Sequence, residues 1–333
     1  MTAVDFSGLP ARLKDYSYKN SETLLTQTLI DGMSFLNYMN LLVDVTDRVD
    51  LTQMFISEVL QPGGKDSFTP KGTVGFKNRE GRVRDCKVDF LLTPKLINAM
   101  WKSYLGRINK SRRGDVYDAP FFQFILERIA AKVREELQLK AAFQGVYRED
   151  SQLAARVFDG ILPLLSDAGA VPAGNIFAGA PITQNNAIDQ LEGLVSLVPS
   201  DKINEDLICL VEPTVMRHYN LDYRATFGTI GTYTEFKKTV LDGTNITLIA
   251  EPGLSGTNGV IITERENLTW LTGELNQLDA FVIEKSKRNV NVMLDFQASA
   301  DFALGEMVWC NDLALTKGQA LRTAAAAEPA NNA

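Results

Sequence analysis

The chain has 333 residues, 45% of them apolar and 23% charged, with 24 glycines, 12 prolines and a net charge of −7. This is the balance of a globular protein with room for about two domains at ~150 residues each, and it excludes disorder or collagen-like repetition for most of the length. No apolar run approaches the ~18 residues of a membrane helix, and the start lacks the basic-then-apolar order of a secretory signal, so a soluble protein made in a cytoplasm, with no membrane partner, is expected. Cys86, Cys209 and Cys310 are odd in number and far apart, which excludes a disulfide framework or a paired metal knuckle.

Ser21 is placed to cap a first helix, in which Leu25, Leu29, Met33 and Leu36 form one apolar stripe that Gly32 weakens. Residues 51–92 read as an extended hairpin. QMFISEVL leads out, QPGGKDSFTPKG is a loose tip, a second turn falls at Asn78–Gly81, and the alternation of Cys86, Val88 and Phe90 leads back. A two-stranded ribbon of this kind is marginal in water, so something beyond it must hold it.

Charge is concentrated here. Between Lys65 and Arg113 thirteen basic residues face four acidic ones, leaving this stretch at +9 and the remainder at −16. Such a segment meets nucleic acid or an acidic surface on another molecule. The chain is acidic overall, and Phe68, Phe76, Phe90, Trp101 and Tyr104 form no obvious stacking platform. Docking onto a like subunit fits better.

Thr93 and Pro94 open a short helix with Leu96, Met100 and Tyr104 on one side, stopping near Gly106 before the basic loop GRINKSRRGD. Asp118 then caps the clearest element, a helix over 119–144 whose core stripe is Phe122, Leu126, Ile129, Val133 and Leu137, closed by Gly145. About 26 residues at 1.5 Å rise make it roughly 39 Å long, a structural spine. A Gly-, Pro- and Ala-rich connection follows at 168–184.

Ile188, Leu191, Val195 and Val198 mark one further helix. A second starts at Pro213, carries Val215, Tyr219, Tyr223 and Phe227, and stops at Gly228. Between them LICLV is wholly apolar, the pattern of a strand covered on both faces. Beyond Gly231 the chain turns β-rich: Asp242-Gly243 and Asn258-Gly259 punctuate NITLIAE and VIITE, and FVIEK, NVNVMLDF and DFALGEMVWC complete the strands. The end, TAAAAEPANNA, has no apolar stripe and reads as a frayed tail over 317–333. Helices and strands are segregated, so the class is α+β.

Enzymatic signals are missing. The one histidine, His218, falls mid-helix without an evident nucleophile, and no GxxxxGK[ST], GxGxxG or GxSxG occurs. LSGTNG sits between strands, where its glycines serve turns. Glu135 and Glu136 are adjacent on the spine and point apart, and Cys209 with His218 lacks a further soft ligand. No catalytic residue, cofactor or metal is expected.

The order of arm, basic hairpin, spine, Gly-rich crossing, helix-strand-helix layer and β-rich return resembles the Hong Kong 97-type major capsid proteins of tailed bacteriophages, over about residues 20–312. The most specific stretch runs from LDGTNITLIAEPGLSGTNGVIITE through ENLTWLTGELNQLDAFVIEKSKRNVNVMLDF to ALGEMVWCND. The spine that begins PFFQFILERIAAKV is similar as well. The resemblance implies a Hong Kong 97-like fold with an N-terminal arm (1–50), an extended loop (51–92), a peripheral domain containing the spine (93–160), an axial domain (161–280) and a C-terminal return (281–316).

It further implies self-assembly into homo-hexamers and homo-pentamers of an icosahedral shell around double-stranded DNA, in a virion assembled in the host cytoplasm. The implied intersubunit contacts of the extended loop are Lys65, Phe68, Lys71, Phe76, Lys77, Arg79, Arg82 and Arg84. Partners so implied are a separate scaffolding protein, since about twenty residues before the arm leave no room for an internal one, a portal, possible decoration proteins, and packaged DNA held without sequence-specific contact. Some relatives join a loop lysine to a neighbour's asparagine, for which Lys71 or Lys77 and Asn289 or Asn291 are the available residues, their pairing left open. An encapsulin-type nanocompartment shell is the alternative of the same fold, and a soluble enzyme with an unrecognised site the alternative of another class.

Overall fold

Strands of two β-sheets and the long helix contribute to one hydrophobic core, and the apolar periodicity of each element says which side it buries. The computed structural model describes residues 9–62, 70–111, 121–228, 239–275 and 281–328. In chain order these hold α1 (Leu9–Lys19), α2 (Ser21–Leu29), β1 (Asn40–Leu42), β2 (Arg48–Ile56), β3 (Val74–Arg82), β4 (Arg84–Leu92), α3 (Pro94–Ser111), α4 (Phe121–Glu136) and α5 (Ile161–Leu165). There follow β5 (Ile176–Phe177), α6 (Ala187–Val195), β6 (Leu207–Val211), α7 (Pro213–Phe227), β7 (Thr247–Ala250), β8 (Val260–Glu264), β9 (Leu268–Thr272), β10 (Phe281–Ser286), β11 (Asn289–Phe302), β12 (Val308–Asn311) and α8 (Asp312–Ala327).

The first sheet is organised by β11, whose 14 residues pair antiparallel with β4 along one edge and with β10 and then β9 along the other. Its side chains alternate buried and open from Asn289 to Gln297, then are buried without interruption, as a strand does when it passes from a one-faced to a two-faced environment. β1 joins β9 in parallel. The second sheet runs β5-β12-β8-β6-β7. LICLV forms β6 and is buried on both sides: Ile208 and Leu210 join the larger core, while Leu207, Cys209 and Val211 face α6 and α7.

The spine is α4, prolonged by a π-helical turn over Leu137–Ala141. Leu126, Ile129 and Leu137 are buried and Val133 is half-buried; of Phe122 only the backbone falls among the described atoms. The expected start at 119 lies outside the described residues. Its end comes earlier than 144 because the chain must turn at Gly145, where a Cβ would stand 2.5 Å from the Ala141 carbonyl oxygen and 2.6 Å from that of Phe158.

Several expectations are corrected. Ser21 is the first residue of α2 and not its cap; Asn20 precedes it and spends its amide on the Tyr16 carbonyl at 2.9 Å. Helices α1 and α2, within the expected arm, pack onto the body: Leu13, Leu24, Leu25 and Leu29 are almost wholly buried and the Trp270 indole donates to the Leu29 carbonyl at 3.2 Å. Arg134 of the spine caps the end of α2, donating to the Asp31 and Gln27 carbonyls. Helix α3 runs through Gly106 to Ser111, with the Thr93 hydroxyl accepting from Leu96 N at 3.3 Å.

The frayed tail is replaced by α8. Asn311 Oδ1 caps it by accepting from Ala314 N at 3.2 Å, and Gly318 lets it lie against the Leu162 carbonyl, where a Cβ would come within 2.3 Å. Arg322 pairs with Asp167 at 2.8 Å, and Arg156 grips Glu328, which lowers the carboxyl's pKa. Alanine needs no apolar stripe to form helix, and small residues permit close docking.

Glu251, just after β7, is fully buried. It accepts from Ser34 Oγ at 2.9 Å, from the Tyr38 hydroxyl, and from Gly253 N at 2.9 Å. Gln138, in the π-helical turn, donates to Ser34 Oγ at 2.6 Å. The carboxylate thus joins the N-terminal segment to the end of β7, and Ser34 carries the link on to the spine. Burial, then the Glu251 charge, pushes the Tyr38 phenol well above its usual range.

Candidate assembly interface

Among the described residues β2 and β3 pair only with each other, as a two-stranded ribbon. The register sets Arg48 opposite Arg82 and Ile56 opposite Val74 over nine residues each. This departs from the expected hairpin in two ways. Asn78–Gly81 is no turn but lies inside β3, where Gly81 makes room for Leu271 Cδ1, 3.0 Å from where its Cβ would be. Cys86, Val88 and Phe90 belong to β4, which leaves the ribbon at Val83 and enters the first sheet.

The root of the ribbon is tied to its own subunit by the arginines. Arg79 Nε donates to Asp301 Oδ1 at 2.7 Å, and its guanidinium lies 3.9 Å from the centroid of the Phe302 ring. Arg82 stands 3.5 Å from Asp47, Arg48 bonds Glu80 at 2.5 Å, and Arg84 stacks 4.0 Å over Tyr147. Of the expected loop contacts, Lys65 and Phe68 lie outside the described residues. Lys71 donates to Glu58 at 3.1 Å and to the Leu60 carbonyl at 2.6 Å, and Lys77 sits opposite Gln53.

Beyond the root the ribbon is apolar. Met54 faces Phe76 and Ile56 faces Val74 across the strands, so all four share one face, and each is 55–65% exposed. Charge reasoning passed over Met54, Ile56 and Val74; the signal was the two-residue spacing in QMFI and VGF, read as a strand but not as an uncovered face.

His218 and the LSGTNG turn make local hydrogen bonds. His218 Nδ1 lies 3.3 Å from the Ile182 carbonyl, and Glu212 accepts from Thr257 N and Asn258 N at 3.2 Å each, holding the LSGTNG turn. Asn258 and Gly256 adopt positive φ there. Among the described residues no three His, Cys, Asp or Glu groups gather to hold a metal, and no helix is long and apolar enough to cross a membrane.

Solved structures match the overall fold of this chain. A chain of the satellite phage P4 procapsid, solved with its size determination (Sid) protein, is 14% identical, with 89% of this chain and 98% of that one covered at a TM-score of 0.55. The chain has the Hong Kong 97-type capsid fold. Two further structures share this capsid fold: the capsid of a native GTA particle, 9% identical over 84% of this chain and 89% of that one at a TM-score of 0.51, and a chain of Microbacterium phage Oxtober96, 10% identical over 84% and 91% at 0.50. From sequence alone no family model matches, nor does any curated protein.

Proposed function

We propose that the chain is a shell-forming structural protein, the major capsid protein of a tailed-phage particle, and not an enzyme. It assembles with copies of itself into hexamers and pentamers that close around double-stranded DNA. The observation that carries this reading is a capsid fold whose ribbon bears four large apolar side chains that its own subunit leaves uncovered. An exposed apolar face rimmed by polar residues marks an association surface. Portal, scaffolding and decoration proteins are the further partners this reading admits.

The test is direct: express the full chain and examine it by negative-stain microscopy and sedimentation. Rings or closed shells support the reading. A single subunit under every condition of salt, pH and concentration overturns it. Shells filled with protein cargo and no genome would favour a nanocompartment.

A further inference from the structure

A cavity of about 380 Å³ opens between the end of α6, the segment that follows it, the middle of α7 and the turn before β7. Val195, Val198, Ile203 and Leu241 give it apolar walls, and its volume falls in the ~300–1,000 Å³ range of small-molecule sites. Tyr219 reaches it from α7. That residue is only 2% exposed, yet its hydroxyl has no hydrogen-bond partner among the described residues. Nor is the oxygen one of the polar atoms sealed inside the protein, so it faces the cavity. The hydroxyls beside it are already engaged: Ser196 Oγ donates to the Gly193 carbonyl at 2.6 Å, and Thr244 Oγ1 to the Leu241 carbonyl at 3.0 Å. The packing of α7 needs only the aromatic ring of Tyr219. A hydroxyl held this deep is unfavourable unless whatever occupies the cavity pairs with it.

What the cavity offers is acceptors. Glu192 of α6 and Asp242 of the turn bring carboxylates to it, and among the described residues no lysine, arginine or histidine lines it. Glu192 has no ion pair among the described residues, whereas Lys202, on the segment after α6, is held by Glu205 at 3.0 Å and Glu264 at 3.5 Å. Burial, then the neighbouring Tyr223 and Glu192, pushes the Tyr219 phenol up to about 12, so near neutrality it is uncharged. A phenol oxygen and a carboxylate both accept from an ammonium group, which carries donors only. An anion is repelled here. A bare divalent cation fits poorly, because it takes about six or more oxygen ligands and among the described residues no three His, Cys, Asp or Glu groups gather to hold one. The apolar walls call instead for a hydrocarbon body.

We propose that this cavity binds a small alkylammonium ion, its hydrocarbon chain against the apolar walls and its nitrogen donating to the Tyr219 hydroxyl oxygen and the Glu192 carboxylate. With Asp242 on the same cavity, a diamine is favoured over a monoamine. The site is built within one copy of the chain and stands apart from the shell reading above.

Calorimetric titration of the full-length protein with putrescine, at neutral pH and low salt, tests it. Saturable binding of one molecule per chain is expected. Tyr219→Phe keeps the ring and removes the oxygen, and is expected to weaken binding about fivefold; Glu192→Gln, at an exposed position that leaves the core untouched, is expected to weaken it about tenfold. Butanol, which has the chain without the charge, and magnesium, which has the charge without the chain, are expected not to displace putrescine at equal concentration. Wild type that binds no putrescine at millimolar concentration overturns the proposal. So does either variant that binds as wild type does, which places the amine elsewhere on an acidic surface. Displacement by butanol makes the cavity an apolar site and displacement by magnesium makes it a metal site, and each overturns the ligand class. Putrescine taken up by free subunits but excluded from assembled particles assigns the cavity to a lysine of a second copy, and overturns the free ligand.

Discussion

Arg79 and Asp301 are 222 residues apart in sequence and 2.7 Å apart in space, and their ion pair fixes the root of the ribbon to the first sheet. Asp301 is nearly buried, so removing its partner strands a carboxylate in the core. Arg79→Ala is expected to cost about 3 kcal/mol, the low end for breaking a buried pair because Arg79 is itself partly exposed. Urea unfolding of the unassembled subunit measures it. A loss below about 1 kcal/mol would show that the pair contributes as a surface contact does.

The same pair sets a pH dependence. Burial raises the Asp301 carboxyl above its usual 3.8, and Arg79 opposes that rise without cancelling it. The folded chain therefore holds this proton more tightly than the unfolded chain, and the group's contribution is fully present below the ordinary carboxylate range. It is lost as pH rises through the raised value. Relative to Asp301→Asn, wild-type stability is expected to fall as pH climbs from about 3.8. Urea midpoints of the two proteins at successive pH values decide it, and a gap that is flat or widens in wild type's favour contradicts the assignment.

The spine, LICLV and the two helices flanking it were legible because each is periodic or uniformly apolar, and periodicity then selects its buried face. Asn78–Gly81 misled because Asn and Gly signal turns locally, while pairing with β2 and the contact with Leu271 override that preference. α8 escaped because its burial is achieved by Ala314, Gly318 and Ala325, residues whose smallness leaves no hydrophobic signature. The arginines of the loop were visible as charge, but charge does not say whether a cation reaches a neighbour or, as Arg79 and Arg84 do, its own body.

Burial makes the three thiols inert. It pushes Cys86 and Cys310 up to about 12 and Cys209 higher still, so thiolate is scarce near neutrality. Native protein at pH 8 is expected to give no rapid reaction with a disulfide reagent, and unfolded protein three equivalents. A fast-reacting thiol in the folded subunit would refute the packing around it.

The spine and the ribbon separate folding from association. Leu126 is fully buried, and Leu126→Ala is expected to cost about 2–5 kcal/mol. Phe76 is 65% exposed, and Phe76→Ala is expected to change subunit stability by less than about 0.5 kcal/mol while reducing assembly. Denaturation and light scattering on the same two proteins make the comparison. The reverse pattern, a destabilising ribbon change or a silent spine change, would place the ribbon in the core.

α8 is held by close approach as much as by charge, and Gly318 tests which dominates. A side chain at this position meets the Leu162 backbone oxygen, which has no free end to swing aside, so the helix must back away. Gly318→Val is expected to undock α8 at a cost of about 1–3 kcal/mol. Docked, Arg322 is engaged with the Pro163 carbonyl and with Asp167. Undocked, Lys317 and Arg322 become open to trypsin. The measurement is the rate of cleavage at these two sites at low protease, where wild type should resist and the variant should lose its C-terminal segment. If Gly318→Val resists like wild type while Asp167→Ala is cut, the ion pairs hold the helix and the close contact is incidental.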